Sequence, residues 1–323
     1  MGDIGSSPND QHVESIVVVA IALSITLGAI SARTYTKAAV MRNFDLTDWI
    51  LLVAAALVVV FVSLEIHIWD TNTPSLGEVL LSSNVLEIIY CPAIFCAKYV
   101  VLRQIELVFL SHHRKAFAFI SIRILIWANL LFYASSFVSF LLSCIPRAKI
   151  SDPSLPGVCI DAQLNTILSG AINVISDLTI LFTPIVVIWR LQVPFDRKIK
   201  AAVVFGVGGL ANIASIFRLY YSIQLALTQS FSSAIGVSNW AVGEFTTVIL
   251  VACFPYFPRL YQHLSRKRQT PRVSIPNGLL RTTPITRPPG AELESRDDSL
   301  ATFGVLGDSE SGVPVDGARP SSL

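Results

Sequence analysis

Apolar residues in this chain come in long blocks separated by short polar segments. Seven blocks approach the roughly 20 helical residues that cross a hydrocarbon core of about 30 Å: residues 16–32, 49–69, 82–105, 124–142, 166–188, 201–223 and 240–261. The run 51–64 is apolar on every face, and no alternating pattern of barrel strands is present, so the blocks read as helices. The third block is the least clean. Its apolar character extends over 79–110, about 48 Å at 1.5 Å per residue, and it includes Glu87, Lys98, Arg103 and Glu106. It reads as one tilted helix that runs past the inner interface.

Composition sharpens this picture. Charged residues are 14% of the chain, against about 25% in soluble domains. They are also uneven, since residues 263–323 hold 15 of the 46. A soluble enzyme, a cysteine-dense secreted scaffold and a nucleic-acid binder are thereby excluded. The expected organisation is a short outer N-terminus (1–15), a seven-helix bundle (16–262) and a disordered cytosolic tail (263–323) without apolar periodicity. Asp3, Asp10 and Glu14 precede the first block with no basic residue among them, which argues against a cleaved signal. Segments 33–48, 111–123, 190–200 and 259–268 carry fourteen Lys and Arg, whereas the alternate segments carry only Arg147 and Lys149. The N-terminus is therefore expected outside and the tail in the cytosol, in a multi-pass protein of the plasma membrane. Basic Arg266, Lys267 and Arg268 serve as a stop-transfer anchor, or flank a phosphorylated segment at Thr270 or Ser274.

Chemistry is sparse. Cys144 and Cys159 share one outer segment and are expected to form a disulfide folded over the mouth of the bundle. No cysteine pair has zinc spacing, and no metal is expected. Ionisable groups within a bilayer are costly and ask for partners or a function. By depth, Asp177 pairs with Lys98, and Arg218 pairs with Glu87 or Glu244 in a layer nearer the outside. His67 and Glu65 lie near the outer end of the second block. His67, Glu87, Lys98, Asp177, Arg218 and Glu244 either line a water-accessible cavity opening outward or fix helix register as ion pairs. Arg103, Glu106 and Arg123 fall near the inner interface, where long side chains snorkel. Pro184, Pro255 and Pro258 are expected to kink blocks five and seven. A retinal pigment needs a buried lysine, normally in the last helix. The seventh block has none, so no retinal or other cofactor is expected. Asp-Arg-Tyr after block three and Asn-Pro-x-x-Tyr in block seven are also missing.

Several motifs occur in a fixed order: Thr47-Asp48-Trp49, His67-Ile68-Trp69, Lys98, Cys144-Ile145-Pro146 with Gly157-Val158-Cys159, Asn173 with Asp177, Trp189 with Leu191, Ser215-Ile216-Phe217-Arg218, Trp240 with Glu244, and Cys253-Phe254-Pro255. From about residue 33 to 264 the chain resembles the fungal rhodopsin-like integral membrane proteins, a family grouped with the satratoxin-cluster membrane proteins. It departs at Glu65, where a glycine is common, and at Tyr99-Val100, which replaces Leu-Ser. The resemblance implies a seven-helix membrane protein of a fungus with a receptor-like or metabolite-pathway role.

The leading functional reading is a receptor-like protein. A small molecule enters from outside under the 144–159 loop and reaches the charged layers, and the inner loops and tail report to a cytosolic partner. The alternative is a transporter or accessory factor of a secondary-metabolite pathway. A membrane-embedded cyclase using Asp177, Glu87 or Glu244 as proton donor is a third reading.

Overall fold

The computed structural model describes residues 8–70, 76–110, 116–152, 154–189, 195–228 and 230–268. The expected tail beyond Arg268, with Thr270 and Ser274, lies outside them, as do Asp3, Arg114, Lys115 and Arg190.

Seven long helices match the seven apolar blocks: α1 (Pro8–Tyr35), α2 (Leu46–Asp70), α3 (Leu76–Leu110), α4 (Ala116–Leu141), α5 (Ala162–Trp189), α6 (Phe195–Thr228) and α7 (Phe231–Cys253). Six of them contain described stretches long and apolar enough to cross a membrane. Most overrun the apolar block at one or both ends, because nothing stops a helix where hydrocarbon gives way to headgroups. α1 begins within the expected N-terminal segment and continues into a π turn, Thr36–Met41, that Arg42 closes in the left-handed conformation (φ 50°).

Successive helices pack side by side, α7 closes the ring on α1, and α3 meets α7 across the middle. α3 therefore carries the deepest positions, among them Ala93, Ile94, Ala97, Val100 and Leu102. The outer faces are apolar as well. Ile124, Trp127 and Leu131 recur at helical spacing on α4 and are all exposed, as are Val17, Ile21 and Ile25 on α1. Water would penalise such stripes, whereas acyl chains accept them.

Prolines act differently from expectation at one end of the bundle. Pro255 sits in a 3-10 turn, Phe254–Tyr256, that terminates α7, and Pro258 lies in the first turn of a separate helix, α8 (Phe257–Arg268). A proline lacks the N–H that the first turn leaves unused, so both positions suit it. The seventh block thus ends earlier than expected, and the first residues of the expected tail are helical. α5 is helical through Pro184, and α3 carries a further proline, Pro92.

At the opposite end, Cys144 and Cys159 are joined across a two-stranded hairpin, β1 (Cys144–Ile145) and β2 (Val158–Cys159). Lys149 Nζ donates to the Gly157 carbonyl (2.6 Å), and Arg147 reaches Asn84 on α3 (3.3 Å). The loop is seated on the start of α3: a Cβ added at Gly77 would stand 2.2 Å from the Ser151 carbonyl oxygen. Because the disulfide closes a segment of 15 residues, the Cys144→Ser/Cys159→Ser variant should lose about 3 kcal/mol. Unfolding of purified wild type and variant without reductant checks this, and equal stability would show that the loop holds without its crosslink.

Candidate functional site

Four helices bring charged side chains to the centre of the bundle. On α3, Glu87, Tyr90, Ile94 and Lys98 recur every three or four residues and form one stripe, whose polar members reach α4, α5, α6 and α7. Asn173 and Asp177 occupy successive turns of α5, Ser215 and Arg218 successive turns of α6, and Glu244 the middle of α7. Lys98, Asp177, Arg218 and Glu244 are each no more than 5% exposed, and Glu87 is 14% exposed.

Lys98 Nζ lies 2.5 Å from Asp177 Oδ1 and 4.0 Å from Glu244 Oε1. It also donates to Asn173 Oδ1 and Tyr133 Oη, each at 2.8 Å, so its three protons are all placed. Asp177 accepts at its other oxygen from Ser215 Oγ. Glu244 accepts from Tyr90 Oη (2.9 Å) and Asn173 Nδ2 (2.8 Å), and Arg218 Nε stands 3.5 Å away. Arg218 rests on the Tyr90 ring, 4.0 Å from its centroid, with Nη1 3.5 Å from Glu87 Oε1. The second oxygen of Glu87 has no partner among the described residues. Three carboxyl groups therefore share two cations.

The pairs expected from depth, Asp177 with Lys98 and Arg218 with Glu87 or Glu244, all meet. The two expected layers are one network, because Glu244 lies between Arg218 and Lys98. His67 is not brought into it: its side chain is exposed on α2, while Glu65 two residues earlier is buried. Tyr90, Tyr133, Asn173 and Ser215 complete the network and were not singled out as site residues. Asn173 signalled itself through its spacing to Asp177. Tyr90 and Tyr133 carry no sequence signal of this role, since only the hydroxyl at the ring tip distinguishes them from core aromatics.

Two spaces adjoin the network. On the disulfide side, Tyr90, Phe132, Tyr133 and Phe140 leave a void of only about 10 Å³. A larger cavity, about 50 Å³, lies on the opposite side of Lys98 and Asp177, between α3, α5, α6 and α7 toward the α8 end.

A second charged group lies at the α8 end. Arg33 Nε and Nη2 donate to Asp48 Oδ1 (3.1 and 2.8 Å), and Arg33 Nη1 donates to the Ala252 carbonyl (2.6 Å). Gln104 Nε2 donates to the same carbonyl at 2.6 Å. Lys37 Nζ lies 2.8 Å from Asp45 Oδ2 and 2.9 Å from Asp48 Oδ2, and Arg33 covers the Tyr256 ring. Glu106 is buried rather than snorkelling, and it pairs with Arg103 and with Arg123 (3.5 Å).

Residues 32–263 match the fungal rhodopsin domain. A SAT4 family membrane protein of Emericella nidulans is 36% identical over 62% of this chain and 51% of its own length. Fugralins biosynthesis cluster protein 2 of Gibberella zeae is 27% identical over 38% of the chain and 31% of its own length. Wortmanamides biosynthesis cluster protein C of Talaromyces wortmannii is 26% identical over 48% and 43%. The matches thus span about half or less of these curated relatives, and no solved structure matches. Matched over most of its length, and folded as a bundle of seven long helices, the chain belongs to the fungal rhodopsin domain family of multi-pass membrane proteins.

Proposed function

We propose that this protein is a receptor-like sensor of a small molecule, set in the plasma membrane with its N-terminus and disulfide loop outside and residues 263–323 in the cytosol. The network that ties α3, α5, α6 and α7 through Lys98, Asp177, Glu244 and Arg218 carries the reading. Such a group is costly to bury, and its best-attested use is to hold one arrangement of elements against another. A molecule that competes for one of these partners shifts the balance between two helix arrangements by its differential affinity for them. The inner loops and α8 pass that shift to a cytosolic partner.

Asp177→Asn tests this. The amide retains an acceptor, and Lys98 keeps Asn173, Tyr133 and the nearby Glu244, so the variant should reach the membrane in normal amount. In a fungal strain lacking the native gene, the transcriptional response to conditioned growth medium should fall at least about tenfold relative to wild type, the size expected when one charged partner is lost. An equal response at equal surface expression would overturn the reading.

A pathway role is the second reading, favoured by two relatives named for biosynthesis clusters. In that case deletion lowers a secreted metabolite while the transcriptional response is unchanged, and flux in sealed vesicles separates transport from an accessory role.

A further inference from the structure

The 50 Å³ cavity has a distinct chemistry. Most of its wall is apolar, with Val101, Ile105, Ile180 and Val248 contributed by three helices. Its polar groups are Lys98, Asp177 and Asn212. Lys98 has no proton left to offer, since it gives them to Asp177, Asn173 and Tyr133, and each oxygen of Asp177 already has one donor, from Lys98 and Ser215. Asn212 differs. Its Nδ2 donates back to the Gly208 carbonyl (3.1 Å), but its Oδ1 is buried without a donor among the described residues, on a residue 6% exposed. An acceptor left unpaired in such surroundings carries a full desolvation cost, which a matching donor removes.

The geometry points to a binding site for a small neutral molecule that is apolar except for one hydrogen-bond donor, an alcohol or a primary or secondary amide. Neutrality follows from the charges, because Lys98 and Asp177 compensate each other and offer no counter-ion to an anion or a cation. The donor follows from Asn212 Oδ1. Size follows from the volume: one water needs about 10–15 Å³ on this scale, so the cavity holds a guest of about four heavy atoms, or that portion of a longer one. Leu181 and Gly208, on α5 and α6, are the half-buried members of the lining. This site is separate from the receptor reading and stands whether or not Asp177 governs a cellular response.

Isoleucine methyl NMR of the full chain in phosphatidylcholine nanodiscs, with 1-butanol and its isomer methyl propyl ether as probes, tests the site. Ile105 and Ile180 both line the cavity and report occupancy directly. Butanol should shift both methyl signals saturably, and at least about tenfold more tightly than the ether, which has the same formula and no donor. In Asn212→Leu the preference should disappear. In Asn212→Ser, which keeps an oxygen acceptor in a smaller side chain and serves if the leucine variant does not fold, the preference should remain. Equal affinity for alcohol and ether would overturn the donor assignment. No saturable shift with either probe would overturn the site, and an undiminished preference in Asn212→Leu would overturn Asn212 as its acceptor.

Discussion

Replacing Lys98 by methionine is expected to destabilise the bundle by about 3–5 kcal/mol, the cost of stranding buried charge when one member of a pair is removed. Lys98 is nearly inaccessible and holds Asp177 at 2.5 Å. Without it Asp177 retains only Ser215, and the hydroxyl of Tyr133 and the amide oxygen of Asn173 lose their cation. Converting both partners, in Lys98→Met/Asp177→Leu, removes the stranded charge and should restore much of the loss. The surplus carboxyl predicts a contrast within the same series. Glu87 has one oxygen 3.5 Å from Arg218 and the other unpartnered among the described residues, so Glu87→Gln should cost less than about 1 kcal/mol. Glu244→Gln breaks into a carboxylate that receives Tyr90 and Asn173 beside two cations and should cost several times more. Unfolding in mixed micelles of mild and denaturing detergent ranks the four variants. A neutral Lys98→Met, or equal losses at Glu87 and Glu244, would contradict the charge assignment.

Hydropathy alone located the helices, because a membrane-spanning segment must be apolar around its whole circumference and no soluble fold demands that over so many blocks. Counting 1.5 Å per residue then placed Lys98 beside Asp177 and Arg218 beside Glu87 and Glu244. It separated Glu244 from Lys98 because depth along an axis ignores the reach of a flexible side chain: the lysine ammonium extends to within 4.0 Å of Glu244. His67 misled for a related reason. Depth says nothing of which face a residue occupies, and on α2 the inward position belongs to Glu65. Loop charge was read well as a sum and poorly one residue at a time. Arg33 and Lys37 entered as basic residues on the cytosolic side, yet both are buried against Asp48. Their partner had been noted only as part of a recurring Thr-Asp-Trp motif. Cavity volume was out of reach, since it depends on how side chains such as Tyr90, Tyr133, Phe132 and Phe140 pack around the charges.

Asp48→Ala should be as damaging as Lys98→Met, again by about 3–5 kcal/mol, but its consequences should appear at the α8 end. Asp48 is the hub there. One oxygen takes two donors of Arg33, and the other takes Lys37 and the Asp45 backbone N–H (3.0 Å). Lys37 would still have Asp45. Arg33, almost wholly buried, would keep only the Ala252 carbonyl and the face of Tyr256, neither of which carries a formal charge. That carbonyl belongs to the last turn of α7, where Pro255 has broken the helix, and a cation at a helix C-terminus also interacts favourably with its dipole. An Arg33 freed to seek water would therefore loosen the α7 terminus, the 3-10 turn and the start of α8 together. Hydrogen exchange by mass spectrometry should show faster exchange across residues 252–262 in Asp48→Ala while the network around Lys98 stays protected. The double variant Arg33→Met/Asp48→Leu should recover most of the stability, because it leaves no buried ion without a partner. If the double variant proves no more stable than Asp48→Ala, or if exchange rises uniformly across the bundle, Asp48 is a general packing residue rather than the tie that fixes the end of α7.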